Sequence, residues 1–510
     1  MSRTFIGDLL IFLSLVVASL AKEKLTNTLF LGDGSVFQVN LTRLHDYSPY
    51  TKRIAIEANS KSVFNITNVS SSASFIIFQI HTYQYNVTFS YDKDYLDSNR
   101  SVFGSNVGLF SKLTTNIVTQ LYVKNDNVHK VEALLVAIAY HDKSPVPGGC
   151  NMEFNTEIAP YAMVQTGDTM IIVDVQPASA PFNSVRPNCE KNVVTVEMYH
   201  MFLSSWDFSL DSYFAAIINM LTVTDIKENG VEVTSSSVFS PMRRVFNAYT
   251  GVGSVYVAVA TYGDYSAAYV PAFSYACHPI TDPDSCKILS GFWSNLFCVL
   301  CFFVGLLSLC LGHYQILIDM AVPMLFMGTV IGYAALGNIG LALLMGLGFI
   351  VVWIASKLIS IFNKLILNLT LGWFFGCVVY FNSPDSFTIL QNNGIFWTFF
   401  VFLSLGIALI ILLFDDVASV ITCATFSSFM VILSLDYWIG STLKYIIINF
   451  IRRITVEGFN LAIIGPPIHT IDICLIVLWS CLALFRFSKQ WCSRGYSSEL
   501  VETDPLLPHF

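Results

Sequence analysis

Residues 320–356 read MAVPMLFMGTVIGYAALGNIGLALLMGLGFIVVWIAS, 37 positions without one formal charge. As a single helix they would reach about 55 Å, against a bilayer hydrocarbon core about 30 Å thick. The stretch must therefore cross twice, turning near Gly337-Asn338. Working outward on that measure, further crossings fall at Gly291–Gly312, Leu365–Phe381, Ile395–Phe414, Val417–Leu435 and Ile468–Phe487. The expected architecture is an all-α seven-helix transmembrane bundle over 289–487, followed by a cytosolic tail at 488–510. Residues 436–467 resist the count. Lys444, Arg452 and Arg453 bracket the apolar Tyr445–Ile451 too closely for a span, so the segment is read as interfacial or re-entrant. An eighth crossing is the alternative.

Composition agrees with a membrane protein. Of 510 residues 54% are hydrophobic and 12% charged, with mean hydropathy +0.61, whereas a soluble chain is about a quarter charged. The formal charge of −8 and the lack of any Lys/Arg cluster speak against a nucleic-acid binder. At the N-terminus Arg3 precedes an apolar run from Leu9 to Leu20, ending Ser19-Leu20-Ala21, small residues at the positions a signal peptidase reads. A run that short reads as a signal peptide over 1–21, which puts the following region outside the cell or in the lumen. Seven spans then leave the tail in the cytosol. Lys357, Lys364, Arg486, Lys489 and Arg494 fall inside, as the positive-inside tendency favours; Lys444, Arg452 and Arg453 fall outside, against it.

Residues 22–288 are β-patterned. Phe75–Ile80, Ala133–Ala139, Met170–Val175, Val194–Met198 and Ser254–Ala260 are short runs rich in β-branched and aromatic residues, separated by turn residues such as Pro145, Pro147, Gly148 and Gly149. Ser209–Leu221 alone carries helical spacing. Short strands with frequent turns predict sandwich-like packing in two modules, 22–150 and 151–288. Sequons at Asn40, Asn65, Asn68, Asn86 and Asn99 mark the first module as the glycosylated one, whereas Asn368 sits inside an apolar run. Four of the 12 cysteines, Cys150, Cys189, Cys277 and Cys286, lie in this region. An even count in an oxidising compartment predicts two disulfides; three pairings are open, and Cys150–Cys189 with Cys277–Cys286 closes the shortest loops.

Few residues carry chemistry. Asp472, near the outer end of the last span, is the candidate intramembrane ionisable site, and helix capping is its competing role. Asp319 and Asp436 fall at interfaces. His313 and His469 are isolated, and no HExxH, GxSxG or metal-spaced cluster is present, so no catalytic, cofactor or metal site is expected. A G-protein-coupled receptor would share the span count but not its motifs. Gly328-Thr-Val-Ile-Gly332 and Gly372-Trp-Phe-Phe-Gly376 let helices approach closely, within the bundle or in a homo-oligomer. Near the C-terminus Glu502, followed by Leu506-Leu507, fits an acidic dileucine signal, with a clathrin adaptor as its partner.

With these residues in view the chain resembles the transmembrane 7 superfamily member 3 family of seven-span membrane proteins. The resemblance runs from about residue 60 to the end. It is carried by Ser74–His81 (SFIIFQIH), Pro145–Phe154 (PVPGGCNMEF) and Ser266–Cys277 (SAAYVPAFSYAC), then by Gly394–Trp397, Asp436–Trp438 and Asp472. The bundle is also similar to a domain of unknown function shared with another multi-span family. The resemblance implies a pro-survival role that attenuates endoplasmic-reticulum stress, with no known ligand or enzyme activity. The family's tail also ends in an acidic Pro-Leu-Leu string, although the tail here is shorter. The expected function is a non-enzymatic protein acting through ectodomain or bundle interactions with a luminal or extracellular protein partner. Its expected place is the plasma membrane and the endosomal system, including the lysosome. A transporter or channel at Asp472, or a receptor, is the alternative.

Overall fold

The computed structural model describes residues 28–41, 48–69, 73–94, 99–113, 120–182, 189, 193–233, 242–288, 291–311, 316–356, 360–385 and 387–502. The expected signal peptide, with Leu506 and Leu507 of the sorting signal, lies outside the described residues.

Among the described residues the first module has ten strands: β1 (Leu29–Leu31), β2 (Val36–Asn40), β3 (Pro49–Ile56), β4 (Ser60–Thr67), β5 (Phe75–Thr82), β6 (Val87–Ser90), β7 (Ser101–Gly104), β8 (Asn106–Lys112), β9 (Gln120–Asn125) and β10 (Val131–Tyr140). They form two five-stranded sheets, ordered β1-β3-β10-β5-β8 and β2-β4-β9-β6-β7. Burial follows sequence pattern. In β4, Ser62, Phe64 and Ile66 point inward and alternate with more exposed neighbours, the signature of a sheet wet on one face. In β5, FIIFQIHT is buried at every position, so its sheet is covered on both faces. One cover is the partner sheet; the other is the second module, whose Tyr213, Phe214, Val257 and Val270 share the same core.

The second module holds β11 (Met163–Thr166), β12 (Met170–Asp174), β13 (Thr195–Ser205), α1 (Leu210–Ile218), α2 (Val223–Asn229), β14 (Val231–Val233), β15 (Arg243–Asn247), β16 (Val252–Tyr262), β17 (Tyr265–Ala268) and β18 (Ala272–Ser274). Its sheets run β11-β12-β15 and β14-β13-β16-β17, with β18 also on β16. Ser209 caps α1 by accepting from the Ser212 amide, which starts the helix where helical spacing begins.

The C-terminal region is helical: α3 (Phe292–Leu311), α4 (Ile316–Leu336), α5 (Ile339–Ser356), α6 (Ser360–Phe381), α7 (Asn393–Leu412), α8 (Asp415–Ile439), the short α9 (Tyr445–Thr455) and α10 (Thr470–Glu502). Gly337, at φ +63°, turns the chain between α4 and α5. Among the described residues four stretches are long and apolar enough to cross a membrane: Phe292–Cys310, Asn393–Leu412, Val417–Ile439 and Thr470–Gln490. This narrows the seven-helix expectation. Met320–Leu336, Ile339–Ala355 and Leu365–Phe381 are shorter apolar helices over their described side chains, although the backbone of each runs longer. The central helix is α8, 72% buried over its apolar window while the other three long ones are 17–33% buried. A helix that is apolar all round but covered by neighbours is a bundle core; exposed ones face lipid.

Candidate functional site

The most elaborate polar construction in the molecule lies where the second module meets the bundle. It begins with α9. Its 11 residues would reach about 16 Å, too short to cross a membrane. Instead its apolar face packs on the bundle, and its Asn449 and Arg452 side chains face the β-rich region. Arg452, 6% exposed, donates from Nη1 to Asn247 Oδ1 at 2.6 Å and to the Ala248 carbonyl at 2.9 Å. Its Nη2 donates to the Asp168 carbonyl at 3.2 Å, and its guanidinium carbon sits 5.3 Å over the Tyr445 ring. Burial presses the guanidinium below its usual value, yet neutral acceptors and an aromatic face satisfy it. Of the three basic residues that the expected topology leaves on its outer side, Arg452 has a local role: it bolts α9 to the second β-rich module.

Around that bolt the backbones join. Ile463, in the loop after α9, pairs in parallel with Phe246 of β15. Its amide donates to the Val245 carbonyl at 2.9 Å and its carbonyl accepts from the Asn247 amide at 3.0 Å. A segment of the membrane region thus extends the β11-β12-β15 sheet. Asn247 Nδ2 donates to Asn449 Oδ1 at 2.9 Å, the Thr250 amide donates to the Tyr445 hydroxyl at 2.7 Å, and the Tyr249 hydroxyl donates to the Ile464 carbonyl. At the rim Trp206 Nε1 donates to the Gly440 carbonyl at 3.2 Å. Gly440, at φ +83°, leaves no room for a side chain: a Cβ there would meet Trp206 Nε1 at 1.8 Å. On the other flank His200 Nε2 lies 3.0 Å from Asp385 Oδ2, with both side chains largely buried. The apolar core runs through the joint, with Tyr249 and Val252 inside the bundle cluster and Ile463 inside a β-region cluster.

The other expected site residues fall elsewhere. Cys150 is joined to Cys189 with Cα atoms 5.7 Å apart, and Cys277 to Cys286 at 5.0 Å. The five sequon asparagines gather on one sheet: Asn40 ends β2, Asn65 lies in β4, Asn68 follows it, and Asn86 and Asn99 precede β6 and β7. Asn65 is half-buried and the other four are exposed. Asp472 sits in the first turn of α10, fully buried. Its Oδ1 accepts from the Thr442 amide and hydroxyl at 2.7 and 2.9 Å, and its Oδ2 from the His469 amide at 2.8 Å. These bonds tie the start of α10 to the turn after α8, where the helix dipole also favours a carboxylate. Asp436, fully buried at the end of α8, accepts from the Lys444 amide, with Lys444 Nζ at 3.5 Å. Glu502 closes α10. Gly328 and Gly332 pack on α5, and Gly372 and Gly376 on α7, so neighbours in the same chain fill both small-residue seams. Sequence reasoning missed the Arg452 seat and the His200–Asp385 contact. The one available signal was a short apolar helix ending in paired arginines.

Three family matches cover most of the chain. Residues 42–140 match the TM7SF3-like, N-terminal immunoglobulin-like domain, 145–280 the TM7SF3-like, second immunoglobulin-like domain, and 297–491 the TM7S3/TM198-like domain. Transmembrane 7 superfamily member 3 of Homo sapiens is 25% identical over 453 residues, 83% of this chain and 78% of that protein. The Rattus norvegicus protein of the same name is 25% identical over 456 residues, 83% and 79% of the two chains.

Proposed function

Since the chain belongs to the transmembrane 7 superfamily member 3 family, we propose that it is a non-enzymatic, seven-span membrane protein that attenuates cellular stress. It supports cell survival and protein homeostasis by taking up a luminal or extracellular protein partner and passing that event to the bundle. The observation that carries this reading is the seat. Arg452 and the Ile463 pairing fasten the β-rich region to α9 and the loop after it, so a load on the head reaches the helices directly. The shorter apolar helices support the span count, because the backbones of α4 and α6 continue to 21 and 22 residues, about 32 Å each. In this reading the N-terminal region faces the lumen or the exterior, the five sequons carry glycans, and the tail's Glu502, Leu506 and Leu507 engage a clathrin adaptor for endosomal sorting.

The test is rescue. Cells lacking the protein are challenged with an inducer of endoplasmic-reticulum stress and given the wild type or Arg452→Gln at matched surface expression. Wild type restores survival and the seat variant restores less. Survival that is unaffected by loss of the wild-type protein would overturn the stress role. Equal rescue by the two would overturn transmission through the seat.

A further inference from the structure

Arg453, the residue after Arg452, turns away from the seat toward the connection between α6 and α7. It is 8% exposed. Its Nη2 donates to the Leu390 carbonyl at 2.9 Å and to Asn393 Oδ1 at 3.0 Å, and its guanidinium carbon lies 4.4 Å over the Phe396 ring. Among the described residues its Nε–H has no hydrogen-bond partner. No described carboxylate forms an ion pair with it, and unlike Arg452 it keeps a buried donor unmet, which costs stability unless an acceptor is supplied. The Tyr380 hydroxyl, on a side chain 5% exposed, faces the guanidinium closely enough to interact electrostatically but makes no hydrogen bond of good geometry.

Both side chains line one cleft, shared with Ser383, Gln391 and Asn460. Asp385 also lines it but is engaged by His200. The enclosed volume is about 30 Å³, room for about two water-sized atoms. The cleft is open beside Phe387, which lines it and is 52% exposed; Ile389 and Ile454, chain neighbours of the lining residues Leu390 and Arg453, are 56% and 50% exposed, at the end where the long apolar α7 begins. A buried cation behind an apolar lip, at the level where a span enters the bilayer, matches a phospholipid headgroup in charge and position.

We propose that this cleft binds the phosphodiester of an outer-leaflet phospholipid, whose two free oxygens accept from Arg453 Nε and the Tyr380 hydroxyl. The lipid supplies that acceptor and ties the outer ends of α6, α7 and α9 together. The inference rests on the proposed placement of the start of α7 at the outer interface. Labelling of Ile389→Cys by a membrane-impermeant thiol reagent in intact cells checks that placement separately.

The deciding experiment titrates purified, delipidated full-length protein with a short-chain phosphatidylcholine by native mass spectrometry, alongside Arg453→Lys and Tyr380→Phe. Annular lipid gives the same background in all three. Binding in the wild type that weakens about tenfold in Arg453→Lys and measurably in Tyr380→Phe, with melting of the lipid-free proteins unchanged, supports the site. Should Arg453→Lys fail to fold, Tyr380→Phe decides. Equal lipid binding by all proteins that fold overturns the proposal. So does a melting rise of the delipidated wild type with inorganic phosphate but not with the phospholipid, which would assign the cleft to a free anion.

Discussion

His81 shows how a single buried residue sets a condition on the fold. Its ring is fully buried in β5, with Nδ1 2.9 Å from Asn106 Oδ1 and Nε2 3.0 Å from the Gln79 amide. The Tyr213 hydroxyl, 2.8 Å from the same Asn106 oxygen and 3.0 Å from the Thr82 carbonyl, completes this buried polar cluster. Burial, only partly offset by Asn106, lowers the pKa from 6.5 to about 4. The folded state therefore binds the proton more weakly than the unfolded one. Stability is full above pH 6.5 and drains as pH falls toward 4, with about 2 kcal/mol lost by pH 5. Hydrogen exchange of β5 at pH 7.5 and 5 should show that loss in the wild type and a smaller one in His81→Gln; parallel behaviour would rule it out. Glycines offer a second test. A Cβ on Gly372 would lie 2.1 Å from the Ser404 carbonyl oxygen, whereas nothing lies within 4 Å of the Cβ position at Gly348. Gly372→Ala should lower thermal stability by about 1–3 kcal/mol through forced separation of α6 and α7, and Gly348→Ala should leave it unchanged or raise it.

Among the elements, β15 is the informative one. Its outer edge is covered by Ile463 rather than by a neighbouring strand of its own module. An uncovered edge presents unpaired amides and carbonyls, and this one is closed from the membrane side. Ile463→Pro removes the amide that donates to Val245 and should speed hydrogen exchange of Arg243–Asn247, leaving β5 protected. Exchange unchanged at β15 would mean that the bridge contributes little. Several elements were legible beforehand because their signals are local. Continuous apolar runs mark β5, β10 and β16, and helical spacing from Ser209 marks α1. The Gly337 turn followed from length alone. The role of α9 was not legible: six apolar positions and Asn449 ending in two arginines look the same whether the arginines meet headgroups or Asn247.

Across the whole molecule, the β-rich region sits on the bundle as one body, with its sequons turned to the far sheet. Spin labels at Val128, 83% exposed on the head, and Leu336, 50% exposed on the bundle, should give one narrow distance distribution. A broad one would refute a fixed head, and Arg452→Gln should broaden it if the seat holds the joint. The division of labour between sequence and fold is then plain. Sequence by itself determined the two β modules, the apolar helices, the cysteines available for bonding and the family, because hydrophobic period, run length and motif strings are written within tens of residues. Tertiary structure alone decided what the polar residues of 436–467 do, that the sequons share a sheet, and that Arg453 faces a cleft. Their partners stand far away in the chain, Asn247 and Asn449 being 202 residues apart. A buried polar group takes its role from the donors and acceptors that folding brings within about 3 Å, and sequence spacing carries no record of those.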